Sequence, residues 1–105
     1  MKIIHLGNQE IRVQGSPWAL FLYDQEFGSA TACFFTDLKR SADPMFLLKI
    51  TWSMARNYDD HFPSFEEWTK SLDISMRDGE PWTQEVVSAI NAEIFRSTED
   101  QESQE

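Results

Sequence analysis

Basic residues are scarce in this chain: nine Lys and Arg stand against eighteen Asp and Glu, a formal net charge of −9. That balance argues against nucleic-acid phosphates and anionic membranes as partners, since both need a basic patch. Cysteine is almost absent. Cys33 stands alone, which excludes an internal disulfide framework, leaves no cluster for structural zinc and suits a reducing cytoplasm. It is read as a small buried apolar residue. With only four glycines there is little of the backbone permissiveness that phosphate cradles use. No nucleotide loop, nucleophile elbow or paired-histidine helix is found either. The longest apolar run, Trp18 to Tyr23, is far too short to span a bilayer, and no signal peptide is read ahead of the fold. These absences predict a soluble, non-enzymatic protein that uses no cofactor or metal, with no nucleic-acid or membrane role. Its partners are then proteins.

Aromatic residues are plentiful. Eight Phe, four Trp and two Tyr, within 41% hydrophobic residues, are more than a disordered chain carries and enough for a modest core. The exception is the C-terminus, where STEDQESQE contains Glu99, Asp100, Glu102 and Glu105 and no apolar residue. We expect one globular domain over residues 1–96 and an acidic disordered tail over 97–105. The fold class is read as α+β, mostly α. An N-terminal β-hairpin (2–13) precedes about five helices, near 17–27, 30–39, 44–58, 65–72 and 81–95, packed around a central buried helix.

That central helix is Pro44 to Tyr58, PMFLLKITWSMARNY, with Asp43 as N-cap and Pro44 at the first helical position. At about 100° per residue, Leu47, Leu48, Thr51, Trp52, Met54, Ala55 and Tyr58 crowd one broad side, and Lys49, Ser53, Arg56 and Asp60 form a narrow polar strip. A helix apolar over most of its circumference must be enclosed by other elements. Phe46 and Ile50 border the strip, which makes them candidates for partner contact as well as for core.

The flanking segments are punctuated by local signals. Two β-prone runs, Lys2 to Leu6 and Glu10 to Val13, are joined by a turn-rich link. Ile3, His5, Ile11 and Val13 are assigned to one face and Ile4 and Leu6 to the other, with His5 a strand residue rather than a ligand. Ser16-Pro17 starts a helix that Gly28 ends; Ala19, Leu20, Tyr23 and Phe27 line its face, extended by Trp18 and Leu22. Residues 30–39 fit a helix with Ala30, Cys33, Phe34 and Leu38 on one side. Ser64 and Glu67 form a capping box ahead of Phe65, Trp68 and Leu72, spaced i, i+3, i+7. Pro81 opens the last helix, whose stripe is Trp82, Val86, Val87, Ile90 and Ile94, with Gln84, Glu85, Ser88 and Asn91 facing water. The predicted core thus includes Tyr23, Phe27, Leu48, Trp52, Phe65, Trp68, Trp82 and Ile90. Phe95 lies off the last stripe and, with Glu99 and Asp100 of the tail, joins Phe46 and Ile50 as a candidate partner contact. Asp59, Asp60 and His61 look like a metal or acid/base cluster, but consecutive loop residues do not converge on an ion without further ligands.

Over LLKITWSMARNYDD and HFPSFEEW the chain resembles the tail assembly chaperones of long-tailed bacteriophages and prophages of Gram-positive hosts. The likeness comprises a short strand pair, a helix closing in YDQEFG (Tyr23 to Gly28), the LLK-x-x-W-x-MA segment (Leu47 to Ala55), and the F-E-E-W helix start (Phe65 to Trp68). It covers residues 2 to about 75. The resemblance implies a non-enzymatic protein of the infected cell's cytoplasm that binds the long helical tape measure protein, promotes assembly of tail tube protein around it and is absent from the mature virion. In many such phages a frameshift makes a longer form that recruits the tube protein. The family has no catalytic residues to carry over.

Two other classes of function stay open. An acidic mimic could block a DNA-binding protein, although four of the eighteen carboxylates sit in the tail and the rest are scattered with Lys and Arg between them. A small structural or adaptor protein is the other. Host, oligomeric state and a homo-oligomeric form are not fixed by these residues.

Overall fold

A computed structural model describes residues 1–28, 44–77 and 79–95. Strands β1 (Lys2–Leu6) and β2 (Gln9–Val13) precede helices α1 (Pro17–Phe27), α2 (Pro44–Tyr58), α3 (Phe65–Ser71) and α4 (Pro81–Glu93). The architecture is α+β and mostly helical. Four helices, rather than about five, are found among the described residues; the helix expected at 30–39 and the Asp43 cap lie outside them, as do Glu99 and Asp100.

The hairpin turns on Gly7, whose φ of 62° is one that only glycine adopts at little cost. Ile4 pairs with Ile11, Lys2 with Val13, and Leu6 with Gln9. Directly opposed residues of an antiparallel pair share a face, so Ile4, Leu6, Ile11 and Val13 form one apolar surface, and all four are buried. This corrects the expected assignment, which set Ile11 and Val13 opposite Ile4 and Leu6. Composition alone left the register free; the two-residue turn fixes it. The other face, with Ile3, His5, Glu10 and Arg12, is exposed.

Helix α2 is the centre of the fold. It packs against α1, β2 and α4, and its residues from Phe46 to Ala55 are buried except for Lys49, which is half-buried. The expected polar strip is correspondingly narrower. Ser53 is buried because its Oγ donates to the Lys49 carbonyl (3.1 Å), as Thr51 Oγ1 does to Leu47 (2.7 Å); hydroxyls satisfied within their own helix need no water. The cationic ends of Lys49 and Arg56 lie over the Phe27 and Trp52 rings, 5.5 Å and 5.8 Å from the centroids.

Helix α1 starts where Ser16 Oγ accepts the Trp18 N–H (3.1 Å) and stops at Gly28, whose φ is 97°. It buries Ala19 and Tyr23 against α2. From there an aromatic chain crosses the molecule: Tyr23 to Phe27 (5.0 Å between centroids), Phe27 to Phe65 (4.8 Å) and to Trp52 (5.6 Å), and Phe65 to Trp68 (6.1 Å). Most of these contacts are edge-to-face or tilted, as the ring quadrupoles favour. Trp52 Nε1 donates to Pro63 (2.9 Å) and Trp82 Nε1 to Ser75 (2.8 Å), so two indoles also pin loops. Trp68 Nε1 is buried without an acceptor among the described residues.

Helix α3 is capped as its sequence predicts, with Ser64 Oγ accepting the Glu67 N–H (3.2 Å), and it ends at Ser71. Helix α4 ends at Glu93, before the predicted residue 95. Of the predicted stripe it buries Trp82, Val86 and Ile90 and half-buries Val87, with Ile94 half-buried just past its end; it also buries Thr83, Ala89 and Glu93.

Candidate partner-binding surfaces

The residues proposed from sequence as contacts divide sharply. Phe46 is 7% exposed and Ile50 is fully buried. The correction has a simple cause: α1, β2 and α4 enclose α2 on several sides, so the borders of its polar strip are covered too. Phe46 lies against Tyr23, with ring centroids 5.8 Å apart. Phe95 stands just past α4, where its N–H donates to Ile90 (3.2 Å), and it is 36% exposed. The expected core residues Tyr23, Leu48, Trp52, Trp68, Trp82 and Ile90 are buried, and Phe27 and Phe65 are half-buried against them.

Two apolar surfaces were not singled out by sequence. The first is the outer side of α1, where Trp18 and Phe21 remain 54% and 46% exposed, with ring centroids 5.0 Å apart and planes tilted by 32°. Trp18 therefore does not extend the buried face, contrary to the expected assignment. The available signal was that Trp18, Phe21 and Leu22 spread the apolar residues of α1 well beyond the Ala19–Tyr23 side, further than a one-sided packing helix needs. The second is a groove of about 250 Å³ lined by Met45, Leu48, Phe65, Thr69, Leu72, Ile74 and Met76. Met45 and Met76 are substantially exposed, and methionine's unbranched, polarizable side chain adapts to irregular apolar ligands. Neither methionine belongs to a helical stripe, so periodicity gave them no weight.

Asp59, Asp60 and His61 have ligand atoms within 4.8 Å of one another, but all three are exposed. Asp59 Oδ1 accepts the His61 N–H (3.0 Å), and Asp60 Oδ1 lies 3.2 Å from His61 Nδ1. No ligand from another element completes the set among the described residues.

The hairpin and α4 are joined by two carboxylates that the sequence assigned to solvent or left unmentioned. Glu85 accepts the His5 backbone N–H (3.2 Å) and sits 2.9 Å from its Nδ1. Glu93 accepts the Gly15 N–H (3.1 Å) and lies 3.3 Å from the Met1 amine. Hydrogen bonding to Glu85 raises the His5 pKa above its ordinary 6.5, opposed by desolvation and assisted by the charges of Glu85 and Glu10. A raised folded-state pKa adds stability that is fully present below the unfolded value and fades as pH rises through the folded one. The melting temperature of the chain should therefore fall by a small amount as pH rises through and above 6.5, and His5→Gln should flatten that part of the profile. Superimposable slopes for the two proteins would show that the contact carries no pH dependence.

No helix among the described residues is long and apolar enough to cross a membrane. No family model, curated protein or solved structure matches the chain.

Proposed function

We propose that the chain is a non-enzymatic tail assembly chaperone that binds the helical tape measure protein and promotes assembly of the tail tube around it. The supporting observation is that an acidic fold leaves two separate apolar surfaces in water, the Trp18–Phe21 pair and the methionine-lined groove. Exposed apolar surface rimmed by polar residues marks interaction sites. A tape measure is a long chain whose apolar helix stripes would aggregate if left bare, and a domain with exposed aromatic and methionine side chains covers such stripes while its net charge of −9 keeps the complex soluble. The motif resemblance over residues 2 to about 75 supplies the identity of the partner, and the surfaces supply the means.

The test is co-expression of the tagged chain with the tape measure protein of the same genome, followed by purification in moderate salt. The tape measure protein should move into the soluble fraction and elute with the chain. If it stays insoluble and the chain elutes alone, the chaperone reading fails. Salt-sensitive recovery of a basic nucleic-acid enzyme would assign the function to the acidic charge instead.

A further inference from the structure

We propose that the outer face of α1 is a docking surface for a basic amphipathic helix, with Trp18 and Phe21 as its anchors. The inference rests on the reading of the chain as a binder of apolar helices and specifies where one binds and with what charge. Residues Ala19 and Tyr23 fix the inward side of α1. Taking about 100° per residue, Phe21 points directly away from it, Trp18 and Gln25 lie on one side of that direction and Asp24 on the other, and Glu26 falls back beside Ala19. Trp18 and Phe21 are one turn apart with their rings 5.0 Å apart and tilted by 32°, so they present a paired aromatic patch before any partner arrives. Preorganised Trp in a contact patch is the side chain that most often dominates binding energy.

Charge decides which occupant suits this patch. Helix α1 carries two exposed acids, Asp24 and Glu26, and no basic residue, and the whole chain is at −9. A second copy would bring the same charge against itself. The C-terminal STEDQESQE has no apolar residue with which to cover an indole. A helix whose leucine-like stripe is bordered by Lys or Arg matches both the aromatic surface and the sign of the field.

Trp18 reports on this directly, because the other three tryptophans, Trp52, Trp68 and Trp82, are buried. Collisional quenching by acrylamide therefore reads Trp18 in the full chain. The probe is a synthetic amphipathic helix of about 18 residues with a leucine stripe flanked by lysines. At saturation it should shield Trp18 from quencher. Trp18→Ala and Phe21→Ala should each weaken binding by about tenfold or more, followed by titration calorimetry, and leave the melting temperature unchanged because both side chains are exposed. Replacing the peptide lysines by glutamates should weaken binding about threefold at low salt.

Undiminished quenching at saturation, equal binding by the alanine variants, or equal binding of the glutamate peptide would each overturn the proposal. So would a Trp18 already shielded in the free chain. Shielding that grows with protein concentration would make the occupant a second copy, and shielding independent of concentration would make it the chain's own residues 29–43. Two results separate this surface from the chaperone reading. Tape measure retention by Trp18→Ala as strong as by the wild type removes the surface and leaves the chaperone. Peptide binding through Trp18 without any tape measure retention does the reverse.

Discussion

Ile50→Asp should abolish the cooperative thermal transition of this protein. Ile50 is fully buried in α2, the helix that touches α1, β2 and α4. Replacing it removes a buried aliphatic side chain, worth about 2 kcal/mol or more in transfer and cavity terms. It also puts a carboxylate where no water can solvate it, which costs several kcal/mol more even after the group takes up a proton. A domain of this size has a net stability of roughly 5–15 kcal/mol, so the combined loss of about 5 kcal/mol or more removes much or all of it. Phe46→Asp, at a site 7% exposed beside the Tyr23 ring, should behave in the same way. Trp18→Asp on the outside of α1 is the control and should change stability by only about 0.5 kcal/mol. Circular dichroism melts decide the matter. A cooperative transition for Ile50→Asp within roughly 5 °C of the wild type would mean that this side chain can leave the core, and would restore it as a candidate contact.

Local signals carried most of the fold. Ser16-Pro17 and Ser64-x-x-Glu67 act within one turn of the backbone they cap, and so both helix starts stand where the sequence places them. The long apolar circumference of α2 likewise has one physical solution, enclosure. What failed needed long-range information. The hairpin register depends on which two residues make the turn, and a one-residue difference in that choice moves Ile11 and Val13 between faces. The assignment of Phe46 and Ile50 to a rim depended on how many neighbours α2 has, which a helical wheel does not contain. Trp18 failed in the opposite direction, since a stripe drawn on α1 cannot say that α2 covers only the Ala19–Tyr23 side. The acidic residues that hold α4 to the hairpin, Glu85 and Glu93, are polar residues with partners about eighty positions away. No local pattern announces such a pair.

The tightest of these long-range contacts predicts a further large effect. Gly15→Ala should destabilise the chain by roughly 3 kcal/mol, from overpacking and the loss of a charge-assisted hydrogen bond. A Cβ at position 15 would lie 2.6 Å from both the carbonyl carbon and oxygen of Glu93 and 2.8 Å from its Cβ. The obstacle is helix backbone, so no side-chain rotation relieves it; the last turn of α4 has to move. That movement draws the Glu93 carboxylate from the Gly15 N–H and from the Met1 amine together, leaving a buried acid with fewer partners. Gly28 is the comparison, because among the described residues nothing lies within 4 Å of a Cβ built there, and its φ of 97° is what resists substitution. Gly28→Ala should cost about 1–3 kcal/mol, the strain of a side chain at a positive φ with extended ψ (97° and −175°), a region essentially reserved for glycine. Urea unfolding of the two variants separates crowding from dihedral strain. The amides of the last turn of α4 should also exchange faster in Gly15→Ala and not in Gly28→Ala. If Gly15→Ala costs no more than Gly28→Ala and leaves those amides protected, the approach of the hairpin's exit to α4 is looser than its geometry implies, and Glu93 anchors the hairpin without the help of a glycine.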